Sequence, residues 1–149
     1  MRKLVAAALL MMSAACRSAP TVKSGPSTGA SSPRAAVDGF LGAVKAQDLQ
    51  AMSTVWGNVK GPARDAIERA ELEKRELIMQ CYLNHDSYRI VSEAPGEASR
   101  RVFRVALTRK TSRGPLTRET KFTTLEGPGA RWYVEDVELA PAADLCKQK

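Results

Sequence analysis

The chain has 149 residues, enough for one small domain, and its 23 basic against 16 acidic side chains give a formal net charge of +7. Without Arg2, Lys3, Arg17 and Lys23, residues 32–149 carry only about +3. No nucleic-acid motif, glycine-rich phosphate loop or G-x-S-x-G nucleophile signature is present. A single histidine without a Cys/His cluster is a poor zinc site. We therefore expect no nucleic-acid partner, no metal and no cofactor.

The N-terminus has the three parts of an export signal. Arg2 and Lys3 give a positive start, residues 4–12 (LVAAALLMM) are uncharged and apolar, and residues 13–15 (Ser-Ala-Ala) are small. This apolar run is too short to cross a bilayer, and no later segment approaches a membrane span. The small residues followed by Cys16 resemble the lipobox of bacterial lipoproteins. The resemblance implies cleavage after residue 15 and lipidation of Cys16, which makes the membrane a partner through a lipid anchor.

The residues around Cys16 also bear on where the protein is located. Arg17 follows the cysteine in place of the Asp-based inner-membrane retention signal of lipoproteins, so the resemblance implies the cell envelope, and the outer membrane if one is present. Ser13 and Ala15 also fit an ordinary signal peptidase site, which would give a soluble secreted protein. We divide the chain into a signal peptide (1–15), a flexible tether rich in Ser, Gly and Pro (16–31) and a single domain (32–149).

The cysteine count supports lipidation. The chain has three cysteines, Cys16, Cys81 and Cys146, and an odd number leaves one thiol over in an oxidising compartment. If Cys16 carries lipid, Cys81 and Cys146 can form a disulfide. The alternative is a buried free thiol at Cys81 and a loose thiol at Cys146.

Helical periodicity dominates the first half of the domain. Ser32-Pro33 suits the start of a helix with an apolar stripe, and Asp48 can cap a shorter second helix. Gly57 and Gly61-Pro62 read as turns. The stripe of the first helix consists of Val37, Phe40, Leu41 and Val44, and that of the second of Leu49, Met52, Val55 and Trp56.

Residues 63–83 predict a third, longer helix. Its first half is charged, with i,i+4 pairs Asp65/Arg69 and Glu71/Arg75. Its second half turns apolar, so we expect the helix to begin in solvent and end against the core. The apolar residues of this second half are Leu77, Ile78, Cys81 and Tyr82.

From Asp86 the period becomes alternating, which predicts four strands joined by short turns. Such strands form an antiparallel meander, and the preceding helices can cover one face. For the closing hairpin we predict paired positions that sum to about 256. That register sets Phe122 against Val134, Thr124 against Trp132, Lys121 against Glu135 and Arg118 against Glu138.

The order of elements resembles the nuclear transport factor 2-like cone fold, which SnoaL-type polyketide cyclases share. Residues 37–41 (VDGFL) and 46–49 (AQDL) resemble the family's early helices, and residues 129–134 (GARWYV) resemble its closing strand. The resemblance implies an α+β class in which N-terminal helices pack on a curved four-stranded antiparallel meander. Some members are enzymes such as ketosteroid isomerase, whereas others bind small molecules, so the fold alone does not assign a function.

Acid–base chemistry in a cone needs a carboxylate in an apolar pocket facing a phenol or a second acid. Asp136 is the best candidate, because strict alternation places it on the face of Trp132 and Val134. Val137 and Leu139 fall on the other face, and an end to the alternation there would put Asp136 in solvent. The phenol could come from Tyr88 or Tyr82, and Arg118 shares a face with Phe122.

Two further features have both a functional and an ordinary structural interpretation. His85, in Asn84-His85-Asp86, could be oriented by its neighbouring Asp, but these residues are also typical of a turn, which we favour. A basic strand and turn could dock on anionic head groups or an acidic partner, or could be a solvated sheet edge. This basic cluster consists of Arg100, Arg101, Arg104, Arg109, Lys110 and Arg113.

Two functions of different class follow from these features. The favoured one is a tethered, non-catalytic binding or scaffolding domain whose partner is a small apolar ligand or an envelope protein; no catalytic residues are assigned. The alternative is a small cone-fold enzyme of the isomerase or cyclase type acting on an apolar small molecule. The two differ in whether the interior of the cone is a filled core or an open pocket with facing polar groups.

Overall fold

The computed structural model describes residues 28–147, so the signal peptide and Cys16 lie outside the described residues. The helices are α1 (Pro33–Ala46), α2 (Leu49–Val55), α3 (Arg69–Tyr82) and α4 (Ala143–Cys146). The strands are β1 (Gly57–Asn58), β2 (Gly61–Pro62), β3 (Ser87–Pro95), β4 (Arg101–Thr111), β5 (Gly114–Gly127) and β6 (Arg131–Val137). Strands β3 to β6 form one antiparallel sheet in the order β3-β4-β5-β6, which confirms the predicted meander.

The first two helices begin where the sequence predicts. Ser32 caps α1 by accepting a hydrogen bond from the Ala35 amide at 3.1 Å. Asp48 caps α2 in the same way from the Ala51 amide at 2.9 Å. Each cap satisfies a backbone donor that has no partner within the helix. The predicted stripe of α1 is buried to 2% exposure or less at all four positions, Val37, Phe40, Leu41 and Val44.

Two short strands, β1 and β2, are present between α2 and α3, where the sequence predicts only turns. Gly57 pairs with Pro62 and Asn58 with Gly61 in an antiparallel hairpin, β1–β2, between the early helices. The hairpin carries little hydrophobic alternation because each strand has only two residues, and this explains why periodicity does not reveal it. Gly61 has a φ of 129°, a conformation that glycine adopts without steric cost.

The tether is shorter than predicted, because its last residues pack on the domain. The Gly29 amide donates to the Thr54 carbonyl at 2.7 Å, and Ala30 forms an isolated bridge with Trp132 of β6. Glycine is required at position 29, where a Cβ would lie 2.8 Å from the ring of Tyr133. Residues 28–30, which the sequence analysis assigned to the tether, therefore contact the domain.

Helix α3 differs from its prediction in extent and in its buried face. It begins at Arg69, after a short 3-10 turn, Ala63–Asp65. The helix ends against the core as predicted, through Met79 and Leu83, but Leu77 and Ile78 are 53% and 44% exposed. The buried face consists instead of Leu72, Glu76 and Met79, at the i, i+4, i+7 spacing of one helix face. Of the two predicted ion pairs, Glu71–Arg75 is present at 2.7 Å, whereas Arg69 pairs with Glu73.

The predicted register of the closing hairpin is wrong. Gly127 pairs with Arg131 and Thr124 with Val134, a sum of 258 rather than 256. The reason is a three-residue turn, Pro128–Ala130, in which Gly129 and Ala130 have left-handed φ values of 69° and 55°. The predicted sum would have centred the turn on Pro128.

A bulge shifts the register of this hairpin further. Thr123 pairs with Asp136 while Thr124 pairs with Val134, so Glu135 is the extra residue and Phe122 faces Val137. The charged partners change accordingly. Lys121 meets Glu138 at 3.5 Å, and Glu135 pairs with Arg100 instead.

Cys81 at the end of α3 and Cys146 in α4 are joined by a disulfide, with their Cα atoms 4.7 Å apart. The bridge fastens the C-terminal segment, which is also held by Leu145, a residue buried in the core. Arg118 of β5 adds an ion pair with Asp144 at 2.9 Å. The tail after β6 is therefore part of the domain.

Candidate functional site

The space between α1 and the sheet is filled with apolar side chains. Phe40 of α1 packs edge-to-face on Phe122 of β5, with ring centroids 6.2 Å apart. Edge-to-face packing is a favoured arrangement of aromatic rings in cores. The surrounding residues of the sheet and α2 are fully buried as well: Phe103, Val105, Leu107, Val134 and Met52. Among the described residues, the one buried carboxylate belongs to α3, and the buried residues of α1 and the sheet are apolar except for Thr120 and Thr124.

Asp136, the best acid–base candidate from the sequence, is exposed. The bulge at Glu135 explains this, because it reverses the alternation of β6. Val134 before it and Val137 after it both pack against the core, so Asp136 between them points to solvent. Of the two alternatives that the sequence leaves open, the one in which the alternation ends and Asp136 points to solvent is therefore correct, and Asp136 does not face the interior of the cone.

Asp136 borders an open groove of about 240 Å³ between α3 and the outer edge of β6. Ile78 and Met79 line the groove from α3, and Arg75 and Glu135 lie on its charged side. Within residues 28–147, the outer edge of β6 is paired only by two isolated bridges, one between Ala30 and Trp132 and one between Trp56 and Val134. The rest of the lining is mainly apolar: Trp56, Val137 and Leu139.

The candidate phenol and the histidine lie close together but have structural partners. The Tyr88 hydroxyl donates to Asp38 Oδ1 at 2.7 Å, and its ring packs edge-to-face on His85 with centroids 5.6 Å apart. Burial, reinforced by this hydrogen bond to a carboxylate, raises the pKa of Tyr88 to about 12. Tyr82, the other candidate, is partly buried at the end of α3.

His85 lies in the loop between α3 and β3, as the turn interpretation implies, but it is buried with 3% exposure. Its Nδ1 is 2.8 Å from the Leu83 carbonyl, an acceptor, so Nδ1 carries the proton, and Nε2 has no hydrogen-bond partner in the described part of the chain. Burial lowers the pKa of His85, because the charged imidazolium is poorly solvated. The ring is therefore a neutral packing element.

A buried carboxylate that the sequence analysis missed lies beside another cleft, separate from the groove between α3 and β6. Glu76 of α3 is 1% exposed, and its Oε1 has no hydrogen-bond partner within residues 28–147. Burial, with a smaller contribution from the negative charge of Glu73, raises the pKa of Glu76 to about 7. The spacing of Leu72, Glu76 and Met79 could have predicted this buried acid, since it places one carboxylate on an otherwise apolar face of the helix.

The cleft beside Glu76 has a volume of about 500 Å³, within the range of small-molecule sites. Its lining comes from α2, the segment after it and α3. The residues of the lining are Gln50, Ser53, Arg64, Ile67, Arg69, Leu72, Glu73 and Glu76. We call this the Glu76 cleft.

Three of the six residues of the basic cluster, Arg100, Arg101 and Arg104, form ion pairs with acidic side chains. Arg101 pairs with Glu93 at 2.7 Å, Arg104 meets Glu119 at 3.4 Å and Arg109 donates to the Leu145 carbonyl. These residues lie on β4, whose neighbours in the sheet are β3 and β5, so they do not form a sheet edge as proposed from the sequence. Arg113 stays exposed in the turn between β4 and β5.

Residues 28–147 contain neither a candidate metal cluster nor a membrane-spanning helix. No group of three or more His, Cys, Asp or Glu side chains there could hold a metal ion. No helix in the same residues is both long and apolar enough to span a membrane.

Comparison with solved structures identifies the architecture. A ketosteroid isomerase-like protein from Erwinia carotovora atroseptica SCRI1043 matches with a TM-score of 0.52 and 20% sequence identity, over 70% of this chain and 89% of that chain. The fold is a nuclear transport factor 2-like cone. No family model and no curated protein matches the chain. At this identity the likeness establishes the cone fold and not the activity.

Proposed function

We propose that this chain is a lipid-anchored protein of the bacterial envelope whose cone domain binds a ligand and does not catalyse a reaction. The observation that carries the proposal is the filled interior. An isomerase-like cone needs a carboxylate and a facing polar group inside an apolar pocket. Here Phe40, Phe103 and Phe122 occupy that space, and Asp136 is outside it.

The anchor accounts for the cysteines and for the N-terminus. Lipid on Cys16 takes up the odd thiol, and the disulfide between Cys81 and Cys146 suits an oxidising compartment outside the cytoplasm. The tether then runs from Arg17 to the point where Thr28 joins the domain.

The groove between α3 and β6 is the site we propose for an apolar ligand. Ile78 and Leu77 are among the few large apolar side chains that the described residues expose, and Ile78 lines the groove together with Trp56. Exposed apolar surface of this kind commonly marks a binding site. The small volume, about 240 Å³, fits an aliphatic chain or one ring.

The anchor is tested by the mass of the mature protein. The precursor is expressed in a bacterium, and the membrane fraction is compared with that of a Cys16→Ser variant. We expect a lipid-modified N-terminal cysteine in the wild type and an unmodified chain in the variant. An unmodified mature N-terminus in the wild type would contradict the anchor.

Ligand binding is tested by titration with 1-octanol, an aliphatic probe, read through the fluorescence of Trp56 in a Trp132→Phe background. We expect a saturable change that Ile78→Ser weakens at least threefold. Val91→Ser is the matched control, because Val91 is also an exposed apolar residue, 39% exposed, but lies on β3 outside the groove. Equal binding by the two serine variants would exclude the groove.

A further inference from the structure

Glu76 is a buried carboxyl group whose hydrogen-bonding capacity is not met by the protein. The residue is 1% exposed, yet Oε1 has no partner among the described residues. An unpartnered polar group that is shielded from water costs free energy, and a charged group costs more. Buried groups of this kind therefore call for an explanation, such as a ligand or a proton.

The charged residues that line the Glu76 cleft do not neutralise the carboxylate of Glu76. Arg69 is held by Glu73 at 2.9 Å, and Arg64 lies 3.8 Å from Asp65. Neither guanidinium forms an ion pair with Glu76 within the described residues. Among the described residues, the neighbouring charge that acts on Glu76 is that of Glu73, which disfavours ionisation. A cation entering the cleft would therefore meet an uncompensated carboxylate.

A second acceptor lies in the same cleft. The Ser53 hydroxyl, in a residue that is 2% exposed, donates its proton to the Gln50 carbonyl at 2.7 Å. Its oxygen lone pairs remain available as acceptors. Ile67 and Leu72 add apolar surface to the lining. The cleft thus combines two buried oxygen acceptors with room for an aliphatic body.

We propose that the Glu76 cleft binds a small molecule with a protonated primary amine, whose ammonium group pairs with Glu76 and donates to Ser53. An ammonium group has three donors and no acceptor, which matches a site of acceptors. Its positive charge supplies the compensation that the protein does not provide. A metal ion fits poorly, because Glu76 and Ser53 do not make a ligand set of the kind that divalent cations need.

This site is separate from the groove proposed for the apolar ligand, since no residue lines both. A negative result for binding in one site therefore leaves the proposal for the other site unaffected. The competing explanation for Glu76 is a carboxyl group that is simply protonated and binds nothing. The experiment has to separate these two explanations.

The test uses n-butylammonium as probe and 1-butanol as its uncharged counterpart, followed by NMR at pH 8, where Glu76 is ionised. We expect saturable shifts at α2 and α3 with butylammonium and at least tenfold weaker binding of butanol. Glu76→Gln should weaken butylammonium binding at least tenfold. Glu71→Gln, the same substitution on the same helix outside the cleft lining, should leave binding within twofold.

A measurement on the wild-type protein covers the possibility that Glu76→Gln fails to fold. The carboxyl carbon of Glu76 is titrated by NMR with and without butylammonium, and binding should lower its apparent pKa. An unchanged titration, equal binding of the alcohol and the amine, or full binding by Glu76→Gln would overturn the proposal.

Discussion

Ala30 and Trp132 exchange two backbone hydrogen bonds, of 2.8 and 2.9 Å, which fasten the N-terminal segment to the outer edge of β6. The segment covers part of an edge strand that would otherwise be open to pairing with another chain. Arg131 strengthens the contact by donating to the Thr28 carbonyl at 3.0 Å and to the Gly29 carbonyl at 2.6 Å.

Arg131→Ala should loosen this N-terminal segment. Loss of two charged hydrogen bonds at a partly exposed site is expected to cost about 1 kcal/mol. The Ala30 amide, which donates to Trp132, should then exchange with solvent roughly fivefold faster. Arg113→Ala is the control, because Arg113 is exposed in the turn between β4 and β5. Equal exchange in the two variants would show that Arg131 does not hold the segment.

Gly57→Ala should destabilise the fold strongly. A Cβ at Gly57 would lie 2.8 Å from the ring of Tyr133, which is itself 2% exposed and cannot move aside. We expect a loss of at least about 2 kcal/mol, typical of overpacking in a core. Gly42→Ala is the matched control, since its Cβ would meet nothing within 4 Å and alanine favours α1 by up to about 1 kcal/mol. Urea unfolding distinguishes them, and a tolerated Gly57→Ala would contradict the packing.

The disulfide between Cys81 and Cys146 should contribute substantially to stability. It closes a loop with a sequence separation of 65, for which the chain-entropy model gives about 4 kcal/mol. Reduction is expected to lower the melting temperature by on the order of 10 °C. The comparison is made in a Cys16→Ser background, where no other thiol remains. Two free thiols in the oxidised, folded protein would show that the bridge does not form.

Glu76 should make stability depend on pH. Its pKa is about 7 in the folded protein, above the ordinary value of 4.5, so the folded state holds a proton that the unfolded state has released between these values. The free energy of unfolding should therefore fall as pH rises from 4.5 to 7, by up to roughly 3 kcal/mol. Glu76→Gln should remove this fall, whereas Glu71→Gln should retain it. A wild-type stability that rises across this range would contradict the buried-acid interpretation.

Local sequence signals predicted the elements well because their causes are local. The caps at Ser32 and Asp48 and the stripe of α1 depend on neighbouring residues, and all are present. Phe103, Val105 and Leu107 similarly alternate along β4, and all three are buried.

The register of the last hairpin depended on features that the alternating pattern does not encode. The left-handed turn at Gly129 and Ala130 and the bulge at Glu135 each displace the pairing, and the bulge also turns Asp136 outward. For this reason Asp136, the candidate carboxylate from the sequence, does not lie inside the cone. Glu76 could have been found from the sequence, because it lies between Leu72 and Met79 on one face of α3. The sequence analysis instead assigned the buried face to the adjacent apolar residues Leu77 and Ile78, which are exposed.

The most direct test of the proposed function is a methyl NMR titration with 1-octanol that locates the bound probe. If the domain binds its ligand outside a filled cone, methyl groups of Ile78, Val137 and Leu139 should shift, and those of Leu41 and Leu107 in the interior should not. Shifts in the interior without shifts in the groove would contradict this account, because they would mean that the cone opens to an apolar ligand as an enzyme of the isomerase or cyclase type requires.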